Sequence, residues 1–239
     1  MRPFFTFFGG KYRLAPQYPS PQHDTIIEPF AGSAGYSVRH NAERVVLVEI
    51  DPTIVGVWRY LIAVAPEEVR SLPDITEGTV DDYGLHQEAR DFVGFWMNKA
   101  MTGPCRTPSK WLRSGIRPMS SWGQPVRDRI ASQLAEIRHW EVIHDEWFNA
   151  PEAEATWFVD PPYMVRGQRY RYSAVDYLKL GEWCRERPGQ TIACENEGAD
   201  WLPFKPFRDA KTARANRSAE VIWTGINPQE PNARRQGDA

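Results

Sequence analysis

Short β-branched and aromatic runs punctuate this chain, each ending in a turn former or an acid. Thr25-Ile26-Ile27 runs into Glu28-Pro29-Phe30-Ala31-Gly32-Ser33-Ala34-Gly35, and Val45-Val46-Leu47-Val48 ends at Glu49-Ile50-Asp51-Pro52. Both read as short buried strands. The glycine-bearing loop should open a helix, and Asp51 should cap another whose first position is Pro52. Strand, loop, helix, strand and acid make one βαβ unit of about thirty residues, the size of a nucleotide-binding half. From Val55 to Arg138 the apolar spacing becomes helical, with Trp58, Leu61 and Ile62 on one face and Phe92, Phe95 and Trp96 on another. An irregular stretch rich in Gly, Pro and Ser, Thr102 to Pro125, interrupts it. Strand-like runs return at Glu141-Val142-Ile143-His144 and Trp157-Phe158-Val159. A helix around Tyr177 to Arg187 follows, then strands at Thr191-Ile192-Ala193-Cys194 and Glu220-Val221-Ile222-Trp223-Thr224. The polar tail from Asn227 onward is expected to be loose. The pattern implies one α/β core from residues 1–60 and 139–239, carrying a helical insertion over 61–138.

Composition adds a few constraints. The chain has 239 residues, enough for a sizeable single core, and 41% hydrophobic with 25% charged residues gives no sign of extended disorder. The net charge of -2 leaves nucleic-acid binding open, because a basic face can be offset by an acidic remainder. Cys105, Cys184 and Cys194 have neither a C-x-x-C spacing nor an even count, so a disulfide framework and a zinc site are both disfavoured and a reducing cytoplasm is expected. The apolar run Pro3 to Phe8 is too short for a signal peptide or a membrane span. His23, His40, His86, His139 and His144 show no metal-ligand spacing, and no Ser-His-Asp arrangement can be read from residue order.

The sharpest chemistry lies at Asp160-Pro161-Pro162-Tyr163, directly after an apolar strand. A carboxylate and carbonyls ahead of two prolines are acceptors with no competing N–H, suited to an amino group on a planar ring, and Tyr163 offers a flat face for stacking. The loop around Gly32 and Gly35 permits close backbone approach, while the G-x-G-x-x-G spacing of a dinucleotide loop is missing. Glu49, at the end of the following strand, stands where an acid would accept from two ribose hydroxyls.

With these motifs in this order, the chain resembles the Dam-type, alpha-group DNA adenine N6-methyltransferases. Phe8-Gly9-Gly10-Lys11 is similar to the family's first cofactor motif, Glu28-Pro29-Phe30-Ala31-Gly32-Ser33 to its glycine loop, and Asp160-Pro161-Pro162-Tyr163 to its catalytic tetrapeptide; Glu220 to Thr224 resembles a late strand. The resemblance covers nearly the whole chain except the insertion. It implies a Rossmann-like S-adenosylmethionine-dependent methyltransferase fold with a mostly parallel seven-stranded sheet, a catalytic domain at 1–60 and 139–239, and target recognition at 61–138. It implies S-adenosylmethionine as cofactor, with Phe7, Gly10 and Lys11 by its methionine part, Glu28, Phe30, Gly32 and Ser33 around it, and Glu49 on the ribose. Asp145, or equally Glu146, is similar in placement to an acid at the cofactor's adenine. The chain departs from the family in having Ala34 at the second glycine of F-x-G-x-G, which implies a somewhat different loop shape. Glu49-Ile50-Asp51 likewise replaces Asp-x-Asn.

Double-stranded DNA is the expected partner, and a separate restriction endonuclease is compatible with it. Lys99, Arg106, Lys110, Arg113, Arg117, Arg127 and Arg129 lie in a stretch whose only acid is Asp128, interleaved with Trp111, Trp122 and Gln124. Such residues would hold phosphates and read base edges. Arg166, Arg169 and Arg171 follow the catalytic tetrapeptide, where the backbone of a flipped strand would pass. Related tetrapeptides also serve cytosine N4 in DNA and guanine N2 in ribosomal RNA, and a non-catalytic DNA binder of the same fold is the competing class.

Overall fold

The computed structural model describes residues 1–99, 101–114, 121–165, 169–207 and 219–227. In chain order it holds β1 (Thr25–Glu28), α1 (Gly35–His40), β2 (Arg44–Glu49), α2 (Pro52–Ala63), α3 (Pro66–Ser71), α4 (Gln87–Met97), α5 (Lys110–Arg113) and α6 (Gln124–Gln133). Then come β3 (Glu141–His144), β4 (Ala155–Val159), α7 (Tyr177–Glu186), β5 (Gly189–Asn196), β6 (Lys205–Pro206) and β7 (Glu220–Asn227). The strands form one seven-stranded sheet in the order β3-β2-β1-β4-β5-β7-β6. The first five run parallel; β7 is antiparallel to both of its neighbours. Winding proceeds from β1 outward through β2 to β3, then restarts beside β1 at β4. That reversal opens a crevice at the carboxyl ends of β1 and β4.

Alternation along the strands sorts side chains between two faces. Val45 and Leu47 of β2 pack in a cluster with Phe4, Phe5, Trp58, Phe92 and Ile130. Val46 and Val48 join Ile27, Trp157, Leu180 and Trp183 on the other side. Because both faces are covered, all five residues of β4 are buried, and the strand is apolar apart from Thr156, whose hydroxyl donates to Gln190 Oε1 at 2.9 Å.

Asp51 caps α2 as expected, its side chain accepting from Thr53 N at 2.8 Å, with Pro52 at the first helical position. Three boundaries differ from expectation. The helix α2 continues through residue 60 to Ala63, and helices of the 61–138 stretch share one core cluster with β2, so no packing break separates the insertion from the sheet. Within the irregular stretch, α5 and the start of α6 are helical. At the far end, α7 stops at Glu186 because Arg187 precedes Pro188 and is extended, at φ -65° and ψ 128°. The edge strand β6 is only two residues long and has no periodicity to reveal it.

Candidate active site at the switch point of the sheet

The loop after β1 is built by backbone geometry. Gly32 (φ 46°) and Ala34 (φ 48°) both occupy the left-handed region, so at Ala34 a residue with a Cβ holds a conformation that glycine adopts more readily. Gly35 serves a different need: a Cβ there would lie 2.5 Å from Tyr12 N and 2.8 Å from Lys11 N. The loop is fixed from three sides. Ala31 N donates to Val48 O (3.1 Å), Gly32 N donates to Glu49 Oε2 (2.9 Å), and Trp58 Nε1 donates to Gly32 O (2.8 Å). Glu49 also accepts from Asp51 N at 2.9 Å, so it ties the loop to the end of β2 before meeting any ligand.

A cleft of about 780 Å³, counting solvent at its mouth, opens at these strand ends. Phe7, Gly10, Lys11, Glu28, Phe30, Gly32, Ser33, Glu49 and Asp145 all line it, together with Asp160 and Pro162. Residues expected at one cofactor from widely separated segments thus face one space. Phe30 and Trp147 stack at a centroid distance of 6.3 Å along its wall. Asp145 and Glu146 both border the cleft. Asp145 Oδ1 accepts from Asn149 Nδ2 (2.7 Å) and Glu146 N (2.8 Å), which holds its carboxyl below the usual range.

At the floor lies a buried charge cluster. Lys11 Nζ donates to Asp160 Oδ1 (2.7 Å), Asp160 Oδ2 (2.8 Å) and Gly9 O (3.1 Å), so its three N–H donors are matched by three acceptors. Lys11 lines the cleft with these bonds already made, so a further anion there would have to displace one of these partners. Burial alone would lower the Lys11 ammonium, but Asp160 and Glu220 hold it above its ordinary value, hence charged. Burial pushes the Asp160 carboxyl up, and Lys11 pulls against this without cancelling it. Glu28, at the end of β1, is raised to about 8 by burial, although Ser37 N donates to its Oε1 at 2.7 Å. A carboxyl thereby occupies a backbone N–H in the first turn of α1.

The remaining members of the tetrapeptide make further contacts around this floor. Pro161 is buried, and Pro162 O accepts from the Tyr177 hydroxyl. The Tyr163 ring, expected to be free for stacking, has Lys11 Nζ 4.8 Å from its centroid and donates through its hydroxyl to Glu220 Oε1 at 2.9 Å. Desolvated, the ammonium is drawn to the ring's negative face. Glu220, Tyr18 and Tyr170 carry contacts that the motifs did not single out.

The basic residues divide into two groups. Lys99, Lys110 and Arg113 are exposed, and Lys110 lies 5.5 Å from the ring centroid of Trp111, itself 60% exposed. Arg169 and Arg171 are exposed beside the cleft; Arg171 lines it, and Arg169 lies 5.4 Å from the Phe8 ring centroid. By contrast, Arg106 pairs with Asp81 at 2.5 Å and Gln124 is held by Asp128 (2.9 Å) and Arg127 (2.9 Å). Gln124 is exposed and keeps one amide N–H and one oxygen lone pair beyond these two bonds. Arg127 is buried against Trp122 and paired with Asp74 at 2.5 Å, and Arg129 donates to Pro3 O at 2.9 Å. Arg117 and Arg166 lie outside the described residues. Over the cleft mouth three segments meet: Tyr170 Oη donates to Phe8 O (3.3 Å), Thr102 Oγ1 to Arg169 O (3.3 Å) and Phe8 N to Met101 O (3.0 Å).

Among the described residues no group of His, Cys, Asp or Glu is arranged to hold a metal, and no helix is long and apolar enough to cross a membrane. The chain matches no known family model and no curated protein. It is similar to a conserved hypothetical protein of Streptococcus pyogenes, whose solved structure is 11% identical and aligns over 91% of this chain and 92% of that one with a TM-score of 0.39.

Proposed function

We propose that the chain is an S-adenosylmethionine-dependent DNA adenine N6-methyltransferase. The observation carrying this reading is convergence. Lys11, Glu28, Glu49 and Asp160 come from four separate segments and line one cleft at the switch point of the sheet, where ligands of open α/β sheets bind. The cleft suits the cofactor by size and chemistry. Glu49 retains acceptor capacity for a ribose, Phe30 and Trp147 offer apolar walls for a purine, and Asp145 or Glu146 stands by as acceptor for its amino group. Bound there, S-adenosylmethionine would supply a methyl group on a sulfonium.

The protein's part is to make an aromatic amine nucleophilic. An adenine N6 lone pair is delocalised into the ring. Asp160, accepting one N6–H, would draw the nitrogen toward tetrahedral geometry and hold it in line, while the Pro161 carbonyl accepts the other. On accepting the methyl group N6 would lose a proton, which Asp160 or water would take up. Lys11 favours the ionised form of Asp160, which accepts through both oxygens, against the opposing effect of burial. The target base must leave the duplex, and Arg169 and Arg171 at the cleft border are suited to the backbone of the strand that carries it. Stacking on Tyr163 would use the ring face away from Lys11, or require Lys11 to move.

The test is incubation with methyl-labelled S-adenosylmethionine and unmethylated duplex DNA, followed by digestion to nucleosides. Label in N6-methyldeoxyadenosine is expected. Label in N4-methyldeoxycytidine would overturn the base assignment, and DNA binding without any transfer would favour a non-catalytic binder.

A further inference from the structure

Glu220, the first residue of β7, gathers two hydroxyl donors and a nearby ammonium at one oxygen. Its Oε1 accepts from Tyr18 Oη at 2.7 Å and from Tyr163 Oη at 2.9 Å, and Lys11 Nζ lies 3.8 Å away. The carboxylate is held firmly. Its own backbone is laddered to Asn196 of β5, and its carbonyl accepts from Phe207 N at 3.0 Å. Tyr18 is 4% exposed, stacked on Phe207 at 4.4 Å and 4° and set edge-on to Phe158 at 5.2 Å. The acceptor is therefore set by the sheet and by the aromatic stack beside it, not by the segment after β4 that contains Tyr163.

Tyr163 stands three residues beyond Asp160 on a turn that the sheet does not ladder. Its hydroxyl bond to Glu220 fixes the ring, and the ring then presents its face to the ammonium that neutralises Asp160. We infer that Glu220 is the positioning residue of this site, orienting the Tyr163 ring and sharing the Lys11 charge with Asp160. The inference rests on the proposed methyl transfer for its functional consequence, and on geometry alone for its structural one. Glu220 touches no reacting atom; it acts through Tyr163 and Lys11. Glu220→Ala takes from the Tyr163 hydroxyl the acceptor it meets at 2.9 Å and leaves Asp160 as the close carboxylate counterion of Lys11 among the described residues. Glu220→Gln keeps an acceptor oxygen and the shape but removes the charge.

In the full-length protein, with labelled S-adenosylmethionine and unmethylated duplex DNA, Glu220→Ala should lower turnover by about tenfold to a hundredfold, the scale of small misplacements in an active site. Its dissociation constant for S-adenosylmethionine should stay within about twofold of the wild type, and Glu220→Gln should restore most of the turnover. Glu220→Ala and Tyr163→Phe should combine non-additively, since both remove the same hydroxyl bond. Turnover of Glu220→Ala equal to the wild type, or additive losses in the double variant, overturns the inference. Placement is read separately in crystals of Glu220→Ala and Glu220→Gln. Displacement of the Tyr163 hydroxyl in the alanine variant and its retention in the glutamine variant support the inference even if the wild type transfers no methyl group, an outcome that would sink the proposed function instead. An unmoved Tyr163 ring in Glu220→Ala overturns it whatever the activity.

Discussion

Lys11 and Asp160, separated by 149 residues in the chain, share two hydrogen bonds of 2.7 and 2.8 Å. The pair joins the amino-terminal segment to the end of β4 and closes the floor of the cleft. Removing the cation leaves a carboxylate in a site that already pushes its pKa up. Lys11→Met should therefore destabilise the fold by on the order of 3 kcal/mol near pH 8. Protonation of Asp160 relieves the unpaired charge, so the deficit should shrink toward pH 5, as the raised pKa of the variant's Asp160 is approached and crossed. Urea unfolding of both proteins at the two pH values checks this; an equal deficit at both would refute it.

Glu49 has a structural task as well as the proposed ribose contact. Glu49→Ala frees Gly32 N and Asp51 N together, so two effects are expected: a stability loss of about 1–3 kcal/mol from unsatisfied buried donors, and weaker cofactor binding. Glu49→Gln retains one acceptor oxygen and should fall between. Calorimetric titration with S-adenosylmethionine alongside thermal unfolding separates the two losses. An unchanged dissociation constant in Glu49→Ala would remove Glu49 from the ribose role while leaving its tie to the loop intact.

Gly35→Ala probes the seam between loop and amino terminus. The added methyl would meet the backbone nitrogens of Tyr12 and Lys11, at 2.5 and 2.8 Å, and backbone has no rotamer with which to yield. About 2–3 kcal/mol of destabilisation is expected from this overpacking. Because the segment pushed aside carries Lys11, the variant should also lose methyl transfer under conditions where it remains folded. A stable, fully active Gly35→Ala would show that the seam tolerates separation.

Much of this architecture was legible in the chain because its signals are local. Val45 to Val48 read as a strand from β-branching, and Asp51-Pro52 marked a helix start because a capping carboxylate and a preset φ act within two residues. Glu49 and Asp160 stood out for the same reason, each ending an apolar run. What stayed hidden depends on partners far away in the chain. Glu220 meets Tyr163 only after β7 has laddered onto β5, and the bonds of Gln124 to Arg127 and Asp128 within its helix give no sign of themselves in a composition count. Arg127 counted as part of a basic face until Asp74, outside the basic stretch, proved to be its partner.

That division of the basic residues is itself testable. Lys110→Ala and Arg113→Ala alter exposed cations, so each should weaken duplex DNA binding similarly across sequences and lower the salt dependence by about one ion, with stability nearly unchanged. Arg127→Ala removes a buried guanidinium from Asp74 and Trp122, and should instead lower the unfolding midpoint while leaving the salt slope of binding as it was. Fluorescence anisotropy over a salt series, with thermal melts of the same proteins, distinguishes the two patterns. Loss of DNA affinity in a fully stable Arg127→Ala would reverse the assignment.

Glu28 should make the fold less stable as pH rises. Its carboxyl is raised from an ordinary 4.5 to about 8, with burial as the main cause and the Asp160 charge adding to it, while the Ser37 bonds and Lys11 oppose. Between those two values the folded protein keeps a proton that the unfolded chain has released, so unfolding liberates it and stability falls with increasing pH, levelling off above about 8. Glu28→Gln holds no such proton and keeps an acceptor for Ser37 N. The variant should match the wild type near pH 5 and exceed it by about 2–4 kcal/mol near pH 9. Asp160→Asn offers a second check, because losing the neighbouring charge lowers the Glu28 carboxyl and should flatten the same slope. Chemical denaturation from pH 5 to 9 on the three proteins decides the matter: a wild-type slope that persists in Glu28→Gln would mean that another group carries the proton.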